Sequence, residues 1–204
     1  MGFGWLFIGY FFVNMMSLYS PLSFAMLAGY PMMIFGLFRL APYHIRFRSC
    51  FYASFVSLPF AVYFALYSFA QLGFSGSLWI LTEQPFVVME WCYFFFSLLF
   101  HGLLLYAIAG LTGELKLVAL QENAWRNLIL VGLHYLIDGI VRLPIPWIRE
   151  HESIFSLSLI LLRLCYILLN LYLVFKCYRH ICPEGDESMP ERTGRKNKKK
   201  GGEK

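Results

Sequence analysis

The stretch 153–178, SIFSLSLILLRLCYILLNLYLVFKCY, decides the fold. As a helix rising about 1.5 Å per residue it is long enough to cross about 30 Å of hydrocarbon. Arg163, near its middle, is the one charged residue before Lys176. A cation at that depth costs roughly 2.5–3.5 kcal/mol on insertion scales, so it needs a partner. The acid at comparable depth is Asp138, in the preceding apolar segment. The run therefore reads as a membrane span, and an Asp138–Arg163 pair is the expected contact.

The rest of the chain agrees with that reading. Of 204 residues, 59% are hydrophobic and 14% charged, against about 25% charged in a soluble domain. Mean hydropathy is +0.60. The 21 Phe, 13 Tyr and 5 Trp suit lipid-facing and interfacial positions. The fold class is an all-α polytopic transmembrane helical bundle. Spans are expected over about 3–19, 22–40, 49–72, 85–111, 127–147 and 153–178 within a domain covering 1–182. The boundary at Ser20 and Pro21 is drawn because 3–38 as one helix would be about 54 Å long and need more than about 40° of tilt. A single crossing there leaves five spans as the alternative. Residues 112–126 form the most polar interior connection and read as a short surface helix. The segment 183–204, rich in Pro, Gly and charge, reads as a disordered tail.

Basic residues collect on one side of this plan. Arg39, Arg46, Arg48, Lys116, Arg126, Lys176, Arg179 and the tail from Arg192 to Lys204 fall on the sides facing the two termini. That bias predicts cytoplasmic termini and a multi-pass protein of the plasma membrane. The tail lacks aromatic interleaving and a folded platform, which argues against nucleic acid. Its expected partner is anionic lipid headgroups on the bilayer. No basic n-region or A-x-A site marks the first segment as a cleavable signal, so it reads as a retained span. Cys50, Cys92, Cys165, Cys177 and Cys182 form no C-x-x-C and read as apolar core residues.

A polar set repeats across the last three spans. His134, Asp138 and Arg142 are spaced i, i+4, i+8 and line one stripe of the fifth. In an antiparallel hairpin turning near residue 150, Asp138 matches Arg163 in depth and His134 matches Asn170. Glu90 and His101 share a face of the fourth span, with Glu90 at about the depth of Arg142. Two readings follow. In one, these residues are polar glue between helices, worth about 0.6 kcal/mol per contact. In the other they line the path of a solute or proton, as intramembrane ionisable groups do by default.

Enzymatic signatures fail on spacing. His134 and Asp138 are one residue too close for the H-x4-D of membrane acyltransferases. The run from Asp138 to Arg142 resembles the start of the phosphatidyltransferase signature D-G-x-x-A-R but lacks one residue and the later acids. No H-E-x-x-H, Walker A loop or G-x-S-x-G elbow is present. Cys177, His180 and Cys182 fit no common zinc spacing. No catalytic residue, metal or cofactor is expected, and Asn14 reads as interhelical glue.

The short first span, Gly29-Tyr30-Pro31 with Gly36-Leu37 before a basic turn, and the closing Cys182-Pro183-Glu184-Gly185-Asp186-Glu187 give a layout that resembles small multi-pass inner-membrane proteins of bacteria. The resemblance implies architecture, and no activity or functional residue comes with it. The functional expectation is a small transporter or permease-like component. The alternative is a non-catalytic membrane partner, assembly or sensor protein. Transport requires a water-accessible cavity reaching Asp138; a structural role requires a dry pair.

Overall fold

The computed structural model describes residues 2–16, 24–71, 83–143, 146–147 and 151–181. Among them are six helices and no strand: α1 (Gly2–Asn14), α2 (Phe24–Leu40), α3 (Ile45–Gln71), α4 (Glu83–Glu114), α5 (Val118–Val141) and α6 (Glu152–Ile181). Three are long and apolar enough to cross a membrane, over Ile45–Ala70, Gln84–Glu114 and Ile154–Ile181. α1 and α2 are apolar but shorter, at 13 and 17 residues, or about 20 and 26 Å of helix. α5 has 24 residues and carries Glu122, Arg126, His134 and Asp138.

Each helix packs against its successor, and α6 returns to α1, which closes the ring. α1 and α6 run antiparallel: a Cβ on Gly4 would lie 3.5 Å from the Tyr178 ring, and the Phe7 and Phe175 rings meet at 6.0 Å. The start of α1 and the end of α6 therefore share one end of the bundle. The perimeter is strongly apolar, with Ile129 72% and Phe38 64% exposed. Tyr10, Tyr166, His101, Asn127 and Asn170 are buried instead. A soluble surface rarely carries so much contiguous apolar area, so this inside-out distribution suits a hydrocarbon solvent.

The tightest seam joins α1 to α2. A Cβ on Gly9 would stand 2.7 Å from the Gly29 carbonyl oxygen, and one on Gly36 2.7 Å from the Leu6 amide nitrogen. Side chains there would collide with backbone, which cannot move away cheaply. Without a hydrophobic drive between helices in lipid, such close backbone approach is what holds a helix pair together. Pro31 and Pro59 lie inside α2 and α3, and both helices run past them.

The connection between α4 and α5 departs from the expected surface helix over 112–126. α4 continues to Glu114 and α5 begins at Val118. The turn is a Schellman motif: the Leu117 N–H donates to the Thr112 carbonyl at 2.9 Å and the Lys116 N–H to the Gly113 carbonyl at 3.1 Å. Lys116 takes φ 58°, the left-handed conformation usually left to glycine. The polar residues that mark this stretch as a connection sit on the outer side of α5. Its buried stripe, Leu120, Ala124, Asn127 and Val131, follows the 3.6-residue period without interruption.

Helix ends shift elsewhere too. α1 stops at Asn14, and α3 begins at Ile45 and α6 at Glu152. Cys50 and Cys177 are buried as expected, whereas Cys92 and Cys165 are exposed on the apolar perimeter; none of the four forms a disulfide among the described residues. Ser20 and Pro21, most of 73–84, Pro144, Cys182 and the tail 183–204 lie outside the described residues.

Candidate functional site

α1, α4, α5 and α6 surround a cavity of about 130 Å³ lined by Asn14, Glu90, His134, Asp138, Arg142 and Arg163, together with Tyr93, Phe94, Ser97, Tyr135 and Tyr166. Glu90, His134, Asp138, Arg142 and Arg163 are thus brought to one wall system, as their depths required. His101 lies directly behind it, its ring 5.9 Å from Tyr135 and 5.6 Å from Tyr166. Asn170 lies deeper still, where its amide donates to the Tyr10 hydroxyl at 2.9 Å.

Arg142 is the best-held charge. Its Nη1 donates to Glu90 Oε1 at 3.0 Å across the α4–α5 seam. Its Nε donates to Asp138 Oδ1 at 3.2 Å, one turn back on its own helix. Trp91 and Phe94 flank the guanidinium at 5.7 and 5.3 Å from their ring centres. The Glu90–Arg142 contact follows from matching depth on antiparallel helices.

The Asp138–Arg163 pair does not form. The depth relation behind it holds, since Tyr135 and Tyr166 meet at 6.4 Å on the same two helices. Asp138, however, turns to Arg142 at i+4, a spacing that two long side chains on one helix satisfy with little reorganisation. Among the described residues Arg163 has no carboxylate within ion-pairing distance. The His134–Asn170 contact is replaced as well: the His134 ring packs against Tyr166 with centres 4.9 Å apart and planes tilted by 45°, and Asn170 turns to Tyr10.

A floor of hydroxyl-bearing rings, which the sequence reading missed, lies partly in the cavity wall and partly behind it: Tyr93, Tyr135 and Tyr166 line the cavity, Tyr30 backs Tyr93 and Tyr10 backs His101. Tyr10, Tyr30, Tyr93, Tyr135 and Tyr166 each come from a different helix. Tyr135 Oη lies 2.6 Å from Ser97 Oγ, and Tyr30 donates to Tyr93 Oη at 3.3 Å. Asn14 donates from Nδ2 to the Tyr10 carbonyl at 3.1 Å. His101 Nδ1 lies 2.7 Å from the Ser97 carbonyl oxygen; a carbonyl accepts and does not donate, so this nitrogen carries the proton. Among the described residues the opposite nitrogen, Nε2, has no partner, and neither have His134 Nδ1, Asn170 Oδ1, Asn127 Oδ1 and Ser54 Oγ. His101 is 2% and Asn170 1% exposed. A buried polar atom left unpaired costs about 1–3 kcal/mol; of these five, only His134 Nδ1 belongs to a residue of the cavity lining.

Chemically, the site offers two guanidiniums and two carboxylates, a charge-balanced set in which Arg142 holds both acids, together with aromatic hydroxyls and the His134 imidazole. Among the described residues no group of His, Cys, Asp and Glu is disposed to hold a metal ion. Comparison with known proteins finds no matching family model, no matching curated protein and no matching solved structure.

Proposed function

We propose that the chain is a six-span membrane protein, with both termini cytoplasmic, that binds and passes a small polar solute as a transporter or permease-like component. One observation carries this reading: the charged side chains of α4, α5 and α6, the Glu90–Arg142–Asp138 cluster and Arg163, line an open cavity. Polar glue needs no space around it, whereas a solute path does. The shared end of α1 and α6 supports an even number of crossings, and the basic bias supports their side.

A structural role for the charges is favoured by Arg142 alone, since Glu90 and Asp138 already satisfy it within the fold. In that second reading the protein is a membrane partner or assembly factor. The two readings separate on solvent access. With Cys92 and Cys165 replaced by Ser, cysteines introduced at Asn14 and Ser97 should react with a charged, membrane-impermeant thiol reagent in whole cells. Failure of both to react, in protein that inserts normally, would leave the cavity without a route to water and favour the structural role.

A further inference from the structure

We infer that the guest of this cavity is an amino acid bound as its zwitterion, with the carboxylate on Arg163 and the ammonium on Glu90 and Asp138; this rests on the solute-binding reading above. The lining holds two guanidiniums and two carboxylates and sums to zero. A guest with net charge would unbalance that set, and unbalanced charge is costly at this depth. The fitting guest is therefore neutral as a whole. The walls, however, are not evenly neutral. Glu90 and Asp138 both sit on Arg142, so the cluster on α4 and α5 carries one negative charge in excess. The balancing positive charge is Arg163 on α6, which lines the same cavity. It makes no hydrogen bond or ion pair among the described residues. Two opposite poles thus face one space from adjacent helices without touching. A guest of zero net charge that meets both poles is a zwitterion.

The atoms at each pole name the two ends of the guest. Arg142 uses one oxygen of each acid, Glu90 Oε1 and Asp138 Oδ1. The second oxygens, Oε2 and Oδ2, make no hydrogen bond among the described residues. Both are acceptors and suit the three N–H donors of a primary ammonium. At the other pole, the guanidinium fork of Arg163 matches a planar carboxylate through two parallel N–H···O bonds. The rings of Tyr93, Phe94 and Tyr135 between the poles offer π faces that favour the cationic end. Because the cavity is open, a side chain on the guest can extend out of it, and recognition rests on the two charged ends.

Other parts of the molecule carry less. The unpaired buried atoms of His101, Asn170, Asn127 and Ser54 belong to no residue of the lining. The exposed apolar side of α6 around Ile154, Leu157 and Leu161 is covered by nothing the structure contains, and lipid is sufficient for it.

The test is binding to the purified full chain in lipid nanodiscs, by calorimetry and by shift of the melting temperature, at neutral pH and constant ionic strength. Glycine, β-alanine and γ-aminobutyrate carry both charges at three separations, and at least one should bind and stabilise. Acetate and ethylammonium each carry one end, and should bind about thirtyfold more weakly or worse, as expected when one partner of a charge pair is missing. Glycerol should not bind. Arg163→Gln removes the positive pole: amino-acid binding should be lost, and ethylammonium should now bind the negative lining that remains. Glu90→Gln does the reverse, weakening the amino acids and admitting acetate. A merely structural role for either residue would not exchange the preference in this way. Should either variant fail to fold, the comparison of whole zwitterion with its two halves on the unaltered chain still decides.

Acetate or ethylammonium binding the unaltered chain as tightly as the amino acids overturns the zwitterion, and so does amino-acid binding unchanged in both variants. Binding of glycerol or of a single-charge probe alone, lost once the Ser97→Cys variant is labelled with the thiol reagent, overturns the substrate class and leaves solute binding standing. No binding by any probe has the same meaning if cysteines introduced at positions 14 and 97 react, and overturns both readings if they do not.

Discussion

Asp138 and Arg163 stand at one depth on adjacent antiparallel helices and line one cavity, yet the carboxylate of Asp138 is held by Arg142 of its own helix at 3.2 Å. The consequence is energetic independence of the two residues that the sequence pairs most obviously. Asp138→Asn and Arg163→Leu should lower stability by amounts that add within about 0.5 kcal/mol in the double variant. Thermal unfolding in detergent of the four forms checks this. A coupling of several kcal/mol would mean that the two groups do pair.

The converse holds for Glu90 and Arg142, whose side chains touch at 3.0 Å with 41% and 27% exposure. Partial exposure keeps the pair modest, and a cycle through Glu90→Gln and Arg142→Gln should give about 1 kcal/mol of coupling. Raising the salt concentration should shrink it.

At the α1–α2 seam, Gly9→Ala and Gly36→Ala should each destabilise the bundle by about 1–3 kcal/mol, because the added methyl meets backbone. Gly132→Ala is the control, since a Cβ there meets nothing within 4 Å; replacing an interior helical glycine should stabilise by about 0.5–1 kcal/mol. Melting temperatures of the three variants are the readout. Equal effects would mean that the seam is looser than described.

Lys116 holds a left-handed conformation at the α4–α5 turn. Lys116→Gly relieves a backbone cost of about 1 kcal/mol and should raise the melting temperature. Lys116→Val, with its branched Cβ, should lower it. No change in either would place the turn in another geometry.

The Tyr10–Asn170 hydrogen bond ties the first helix to the last. Asn170→Leu should cost about 1–3 kcal/mol by leaving the buried Tyr10 hydroxyl unpaired, and adding Tyr10→Phe should recover part of that loss. Unfolding measurements on the single and double variants test the recovery. Purely additive losses would show that the bond does not contribute.

Depth was the most legible quantity in the chain. Residue spacing on antiparallel helices placed Glu90 beside Arg142 and put Asp138 level with Arg163, because helical rise is nearly invariant. Choice of partner was not legible, since it turns on rotamers: Arg142 reaches both Glu90 and Asp138, and nothing in the spacing excludes that. The start of α5 was hidden because Gln121, Glu122 and Arg126 make a polar string, while the buried period through Leu120, Ala124 and Asn127 runs on the other face. The tyrosine floor was missed for a chemical reason. Aromatic residues in an apolar chain read as interfacial, and only the packing of the helices turns Tyr10, Tyr135 and Tyr166 inward. The mid-span position of Tyr10 and Tyr166, far from either interface, was the available signal.

Closure of the ring by α1 against α6 sets an order of events during synthesis. The α1–α2 hairpin, with its glycine seam, can assemble as soon as both helices have emerged. The polar floor waits for a bond between residues 160 positions apart, and contacts of such long range are late and slow to form. Arg163 enters with the same final helix. Until then Tyr10 and the Asn14 end of α1 lack the neighbour that completes their surroundings, so a ribosome stalled after α5 holds a helical protein whose cavity lacks the Arg163 and Tyr166 wall. The cavity is in this sense completed by the last helix delivered.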